Sequence, residues 1–153
     1  MKFIIAVALC LLGTTFILAQ PEKPGNSFAE KSAVKAVTLG REDSDGNIEV
    51  DVETFNTTDV PIYCYVDLTS GKPTTVKLVF VAVKVKGIRP NSKLLTTSYK
   101  TKEGEDAVTF TGRPAKTWTV GKYRVDIFIN GEKKSSKEFS VEAKKLSRSA
   151  VTY

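Results

Sequence analysis

Carboxylates, cysteines and aromatic rings are the residues considered first for chemistry in this sequence, because none of the 153 residues is a histidine. Histidine is the commonest general base and metal ligand, so its absence excludes a Ser-His-Asp or Cys-His nucleophile, an HExxH zinc site and a histidine-bound haem. Paired carboxylates could still catalyse hydrolysis, but their spacing along the chain does not place two across a cleft. The composition therefore predicts a non-catalytic protein, with a carboxylate-based hydrolase such as a glycosidase as the alternative.

Three aromatic residues are the best candidates for a ligand-binding surface. Tyr63 and Tyr65 alternate with apolar residues, which predicts that both rings lie on the outer face of one strand. Together with Trp118 they could stack on a sugar or an apolar ligand, because these side chains combine a large apolar surface with a polar end. The alternative is that the rings only cover the outer face of a sheet.

The acidic stretch from Glu42 to Asn47 contains the candidate metal ligands. Asp43 and Asp45 are weak candidates for binding Ca²⁺, which prefers carboxylate and carbonyl oxygens of loops. The stretch does not match an EF-hand loop, because its glycine comes too early and the glutamate that closes such a loop is missing. A solvated turn is the favoured interpretation, and we expect neither a metal nor another cofactor.

Cys64 follows the same alternation as Ile62 and Val66, which predicts a core thiol rather than a nucleophile. The alternative is an intermolecular disulfide, since Cys10 falls in a segment that we expect to be removed. Asn56-Thr57-Thr58 matches the N-glycosylation sequon, which matters only if the protein comes from a eukaryote.

The elements that position these residues are predicted to be strands. Period-two alternation, abundant valine and threonine, and turns rich in Gly, Asn and Asp recur along the chain. Asn130-Gly131 between two alternating runs predicts a type I′ hairpin, whose second strand we expect to begin late because of the run 133–137. Seven or eight short strands predict an all-β, antiparallel, immunoglobulin-like two-sheet sandwich, with a small β-barrel as the alternative.

The N-terminus has the pattern of a secretory signal peptide. Lys2 precedes an apolar stretch from Phe3 to Leu12, and the small residue Ala19 precedes Gln20. The apolar stretch is too short for a confident membrane span, although an uncleaved anchor is the alternative. We therefore predict a signal peptide over 1–19, a flexible leader over 20–31, a sandwich domain over 32–142 and a basic tail over 143–153. A secreted or periplasmic location follows.

The predicted mature chain carries a net charge of +5, from 22 basic and 17 acidic residues. Three of these positive charges lie in the tail, on Lys144, Lys145 and Arg148, so the body is near neutral and the basicity is mostly a property of the tail. We expect the tail to contact anionic surface polymers or lipid headgroups. Nucleic acid is not an expected partner, because the chain lacks an RNA-binding aromatic signature and carries an export signal.

Several motifs resemble those of a bacterial protein class: Thr54-Phe55, Asp59-Val60-Pro61-Ile62-Tyr63, Val76–Phe80, Trp118-x-x-Gly121-x-Tyr123-x-Val125-x-Ile127, Asn130-Gly131 and Phe139-x-Val141. With these motifs, residues 47–142 resemble uncharacterised bacterial secreted or periplasmic proteins that carry an immunoglobulin-like, fibronectin-type sandwich. The resemblance implies a fold and a location, and it transfers no active-site residue. In such a fold we expect Tyr123 to pack at a strand corner with its hydroxyl bonded to the backbone.

These observations predict a non-catalytic binding or accessory module of the cell envelope. A protein or glycan partner is expected, and no membrane span after cleavage. The hydrolase remains one alternative. An adhesion or inhibitor domain that acts through a loop, such as Thr111 to Thr119, is another. The oligomeric state stays open.

Overall fold

The computed structural model describes residues 33–144, which form nine β-strands and no helix. The strands are β1 (Val34–Glu42), β2 (Ile48–Val50), β3 (Thr54–Asn56), β4 (Ile62–Leu68), β5 (Thr75–Val85), β6 (Ser92–Lys100), β7 (Ala107–Gly112), β8 (Gly121–Ile129) and β9 (Glu132–Glu142). Because the described part contains no helix, it contains no helix that could cross a membrane. The predicted signal peptide and leader lie outside the described residues.

The strands form two sheets packed face to face. The four-stranded sheet has the order β2-β1-β4-β7 and is antiparallel throughout. The five-stranded sheet has the order β3-β9-β8-β5-β6 and is antiparallel except where β3 runs parallel to β9. The predicted all-β two-sheet sandwich is therefore confirmed, and the barrel alternative is wrong.

The alternation of Ile48, Val50 and Val52 with acidic residues predicts one strand, but β2 ends at Val50 and a second strand, β3, begins at Thr54 in the other sheet. Asp51 has a φ of 61°, which ends β2, and the chain then enters the other sheet as β3. A left-handed residue redirects the backbone in a way that extended strand residues do not, and aspartate is one of the few residues that tolerates it. This division is one reason why nine strands form where seven or eight were predicted.

The sheets enclose one core, built from the inward residues of each strand. β4 alternates strictly between buried and half-buried positions, with Ile62, Cys64 and Val66 facing inward. β5 lies between β8 and β6 and is buried on both faces in its middle, where the outward Val79 and Val81 are also covered. This explains why its sequence is almost continuously apolar.

Tyr123 stands near the start of β8, and its hydroxyl donates a 2.6 Å hydrogen bond to the backbone oxygen of Thr119. The expected strand-corner role of this tyrosine is therefore confirmed. A tyrosine that bonds back to the chain just before its strand is a hallmark of immunoglobulin-like sandwiches.

The last hairpin turns through Asn130 (φ 49°) and Gly131 (φ 91°). Two consecutive positive φ values are what a type I′ turn requires, as the sequence predicts. The expected late start of the second strand is wrong, because β9 pairs with β8 from Glu132 onward. A register irregularity between Ile127 and Phe128 accommodates the early start.

Candidate binding surface

Both candidate tyrosines lie on the outer face of β4, as the alternation predicts. The ring centroids of Tyr63 and Tyr65 are 6.3 Å apart, and the ring planes differ by 17°. Each side chain is half-buried, because the rings lie against neighbouring strands of the four-stranded sheet. The pair forms a nearly parallel aromatic surface.

Two exposed aliphatic residues extend this surface toward the edge of the sheet. In the register, Tyr63 is opposite Gly40 on β1, and Gly40 is opposite Val50 on β2. Ile48 is 42% exposed and Val50 is 56% exposed, which are high values for apolar residues. We call Gly40, Ile48, Val50, Tyr63 and Tyr65 the tyrosine face.

Gly40 allows the rings to lie close to the backbone of β1. A Cβ at this position would stand 2.7 Å from the backbone oxygen of Glu49 and 3.3 Å from Cε2 of Tyr65. Any larger residue would therefore displace either β2 or the ring of Tyr65. The need for a glycine at position 40 is not visible in the sequence, because it arises from contacts with Glu49 and Tyr65, which lie on neighbouring strands.

Polar groups border the rings. The hydroxyl of Tyr63 lies 3.4 Å from a carboxylate oxygen of Glu42, to which it donates a long hydrogen bond. Thr111 and Thr109 on β7 stand opposite Tyr63 and Tyr65. An apolar surface with a few hydroxyl and carboxylate groups at its border can hold a sugar ring or the apolar part of a protein partner.

The third aromatic candidate, Trp118, does not join this surface. Only 7% of Trp118 is exposed, and its ring packs between the sheets against Phe80, Tyr123 and Phe139. Its indole nitrogen donates a 2.9 Å hydrogen bond to the backbone oxygen of Asp59. The prediction of a shared surface is wrong for Trp118, because a large ring on a connecting loop is stabilised more by the core than by water.

Asp43, one of the two candidate calcium ligands, accepts hydrogen bonds from the backbone of its own turn. One carboxylate oxygen of Asp43 accepts hydrogen bonds from the backbone nitrogens of Asp45 and Asn47, both at 2.9 Å. The bond from Asn47 is the largest cause of the lowered pKa of Asp43. Asp45 is exposed. Within residues 33–144 no group of three or more potential ligands is placed to hold a metal ion.

Cys64 is completely buried on the core face of β4, as predicted. Burial raises the pKa of its thiol to about 12.

The sequon residue Asn56 ends β3, and its side-chain nitrogen lies 3.4 Å from a carboxylate oxygen of Asp59. Of the tail residues, Lys144 is described and exposed, whereas Lys145 and Arg148 lie outside the described residues.

The sequence did not predict a groove of 440 Å³ between the edge strands β6 and β7. Tyr99 lines this groove and donates from its hydroxyl to Glu105 at 3.1 Å. The pKa of Glu105 is lowered, chiefly by a hydrogen bond from the backbone of Lys102. A glycosidase acid needs a raised pKa, so Glu105 does not fit the hydrolase alternative. Residues 94–99 of β6 carry no charge, and an uncharged edge strand was the one feature of the sequence that could have indicated this groove.

Comparison with known proteins supports no conclusion on function. No known protein family and no curated protein matches the chain. Among solved structures, it is similar to an immunoglobulin-like protein from Pseudomonas aeruginosa (12% identity, 70% of this chain and 92% of that chain covered, TM-score 0.47). It is also similar to a superoxide reductase from Ignicoccus hospitalis (17%, 80% and 93%, TM-score 0.44). A third similarity is to an alkylpurine DNA glycosylase from Pseudomonas fluorescens (18%, 60% and 28%, TM-score 0.37).

Proposed function

We propose that this chain is a secreted or periplasmic binding module without catalytic activity, and that its ligand contacts the tyrosine face. The supporting observation is the combination of two nearly parallel rings with the exposed Ile48 and Val50 on one sheet face. The half-buried tyrosines and the exposed aliphatic residues leave apolar surface in contact with water on one sheet face, and such patches commonly mark interaction sites.

A glycan is the ligand class that this surface suits best. Sugar rings present apolar C–H faces that pack on aromatic rings, while their hydroxyls need polar partners beside the rings. Thr109, Thr111 and Glu42 supply such partners around Tyr63 and Tyr65. The proposed location outside the cytoplasm, where glycans of the envelope occur, rests on the signal-peptide pattern of residues 1–19.

A glycan array probed with the full chain, expressed with its own N-terminus, tests the ligand class. We expect the double variant Tyr63→Ala/Tyr65→Ala to lose about tenfold or more in affinity for any glycan found, as central aromatic contacts do. Tyr99→Ala is the matched control, since Tyr99 is an exposed tyrosine in the other sheet. Equal losses in both variants would reject the tyrosine face as the site. Uniform silence across the array would reject a glycan ligand.

The location is tested separately by sequencing the N-terminus of the protein recovered from outside the cytoplasm. We expect the mature chain to begin at Gln20, directly after the small residue Ala19. Retention of residues 1–19 in all recovered protein would contradict cleavage and favour the uncleaved anchor.

A further inference from the structure

Two segments of the chain hold seven cations and no acidic residue. They span residues 84–93 and 113–122, and all seven cationic side chains are exposed. We call this set the basic end: Lys84, Lys86, Arg89, Lys93, Arg113, Lys116 and Lys122. Residues 33–144 carry 18 basic and 15 acidic residues, a net charge of only +3, so the near-neutral total conceals a strongly basic region. The net charge of the body is near neutral, as the sequence predicts, because the cations of the basic end are balanced in number by acidic residues elsewhere in the body.

Strand pairing brings the two segments together at one end of the sandwich. β5 and β8 are adjacent, with Lys84 opposite Lys122 and Val85 opposite Gly121. The turn between β5 and β6 and the loop between β7 and β8 therefore leave the sandwich at the same end. Hydrogen bonds from the backbone and the ring of Trp118 hold the second loop against residues Thr57 and Asp59. The loop that carries Arg113 and Lys116 is therefore held in place by hydrogen bonds.

The cations of the basic end have no ion-pair partners within residues 33–144. Lys84 and Lys122 are direct cross-strand neighbours, an arrangement of like charges that is unfavourable by itself. An anionic partner would relieve this repulsion.

The acidic residues are densest in one segment of the chain. Residues 42–53 contain six of them and no cation. This segment includes β2, the edge strand farthest from β7 in the four-stranded sheet. The turn within this segment nevertheless leaves the sandwich at the same end as the loop between β7 and β8, because Arg41, Ile62 and Gly112 are aligned across β1, β4 and β7. Glu53 and Glu138 also border a pocket that Lys122 lines. The basic end is therefore a local cluster of cations with acidic residues nearby, and not one pole of a charge-separated molecule.

The shape and apolar content of the basic end favour a lipid surface over a linear polyanion. The cations lie on a turn, a loop and the adjoining strand ends, and none of them lines the 440 Å³ groove between β6 and β7. Lys122 lines a smaller pocket of 190 Å³. Val120 (47% exposed) and Leu94 (41% exposed) stand among them and could enter the interface between headgroups. The aromatic rings packed near this end, Trp118 and Phe80, are buried and offer no surface for stacking nucleic-acid bases.

We propose that the basic end docks this protein on an anionic phospholipid surface. This contact uses none of the residues of the tyrosine face, which lies on the outer side of the four-stranded sheet, so each proposal can fail without the other.

Vesicle co-sedimentation of the full chain, expressed with its own N-terminus, tests the proposal. Vesicles of phosphatidylcholine with and without phosphatidylglycerol separate charge-dependent binding from any apolar contribution. The test variant carries Lys84→Gln, Lys86→Gln, Lys116→Gln and Lys122→Gln. The matched control carries Lys35→Gln, Lys72→Gln, Lys100→Gln and Lys102→Gln, four exposed lysines at the other end of the sandwich. Both variants lose the same charge, and the emission of Trp118, the single tryptophan, reports that each is folded.

We expect the test variant to bind phosphatidylglycerol vesicles at least about tenfold more weakly than the original chain, and the control to change about twofold or less. Binding of the original chain should also weaken as salt is added, because salt screens exposed charges. Equal losses in the two variants would overturn the proposal, since net charge alone would explain them. Salt-independent binding would also overturn it. The proposal would also be overturned if the original chain did not bind vesicles but bound duplex DNA or heparin through the four lysines.

Discussion

At the residue scale, Cys64 shows how completely one position can be decided by strand alternation. Its neighbours Ile62 and Val66 are fully buried with it, while Tyr63 and Tyr65 point outward. The thiolate is the reactive form of cysteine, and burial without a nearby cation disfavours it. A thiol in this position acts as a small apolar side chain.

The raised pKa of Cys64 predicts that the folded protein resists thiol reagents. With a pKa of about 12, roughly one thiol in ten thousand is ionised at pH 8. We expect no labelling by Ellman's reagent at pH 8 in the native state, and labelling of Cys64 after denaturation in guanidinium chloride. Native labelling, or a dimer band on a non-reducing gel that disappears on reduction, would contradict the core assignment and favour the intermolecular disulfide.

At the scale of elements, the loop between β7 and β8 carries both a core residue, Trp118, and two cations of the basic end. Trp118 is bonded through its backbone nitrogen to Thr57 and through its ring to Asp59, and Tyr123 bonds back to Thr119. These bonds hold a segment that carries Arg113 and Lys116 on its exposed side. A loop anchored in this way presents its cations without having to become ordered on binding.

We expect Tyr123→Phe to lower the free energy of unfolding by about 1 kcal/mol, because a buried tyrosine loses its 2.6 Å hydrogen bond to the backbone oxygen of Thr119. Tyr63→Phe is the matched control, since it removes only a 3.4 Å bond at an exposed position. Its expected effect is below about 0.5 kcal/mol. Urea denaturation measures both, and equal effects would show that the strand corner is not a special point of stability.

At the scale of the whole molecule, charge is organised differently on different surfaces. Asp126 is buried on the outer face of the five-stranded sheet, where Arg124 and Lys133 contact it at 2.8 and 2.7 Å. Burial alone would raise the pKa of Asp126, but the hydrogen bonds and charges of Arg124 and Lys133 outweigh it and the pKa is lowered. This cluster joins β8 to β9, whereas the cations of the basic end are left without such partners.

The lowered pKa of Asp126 predicts a pH-dependent contribution to stability. Its stabilising effect is present above the ordinary value of 3.8 and is lost as the pH falls through the lower value of the folded state. Asp126→Asn should therefore be less stable than the original chain at pH 7, and the difference should shrink below about pH 4. Asp106→Asn, at an exposed carboxylate, is the control. A stability difference that stays constant from pH 7 to pH 2 would contradict this assignment.

The alternation of residue types was sufficient for β4, for the inward side of Cys64 and for the outward side of Tyr63 and Tyr65. This information is local, because successive side chains of a strand point to opposite faces whatever the strand pairs with. The Asn130-Gly131 turn was predictable for the same reason, since its backbone conformation depends on two adjacent residues.

Pairing between distant segments decided the rest. Trp118 lies in the core because its loop crosses the end of the sandwich. The positive φ of Asp51 lies where the chain leaves one sheet for the other. The basic end exists because β5 and β8 place Lys84 opposite Lys122, residues that are 38 positions apart. Linear charge counting cannot find such a cluster, since the local field depends on distances in space. Composition excluded histidine chemistry, and the packing of the sheets brought together the residues of the tyrosine face and of the basic end.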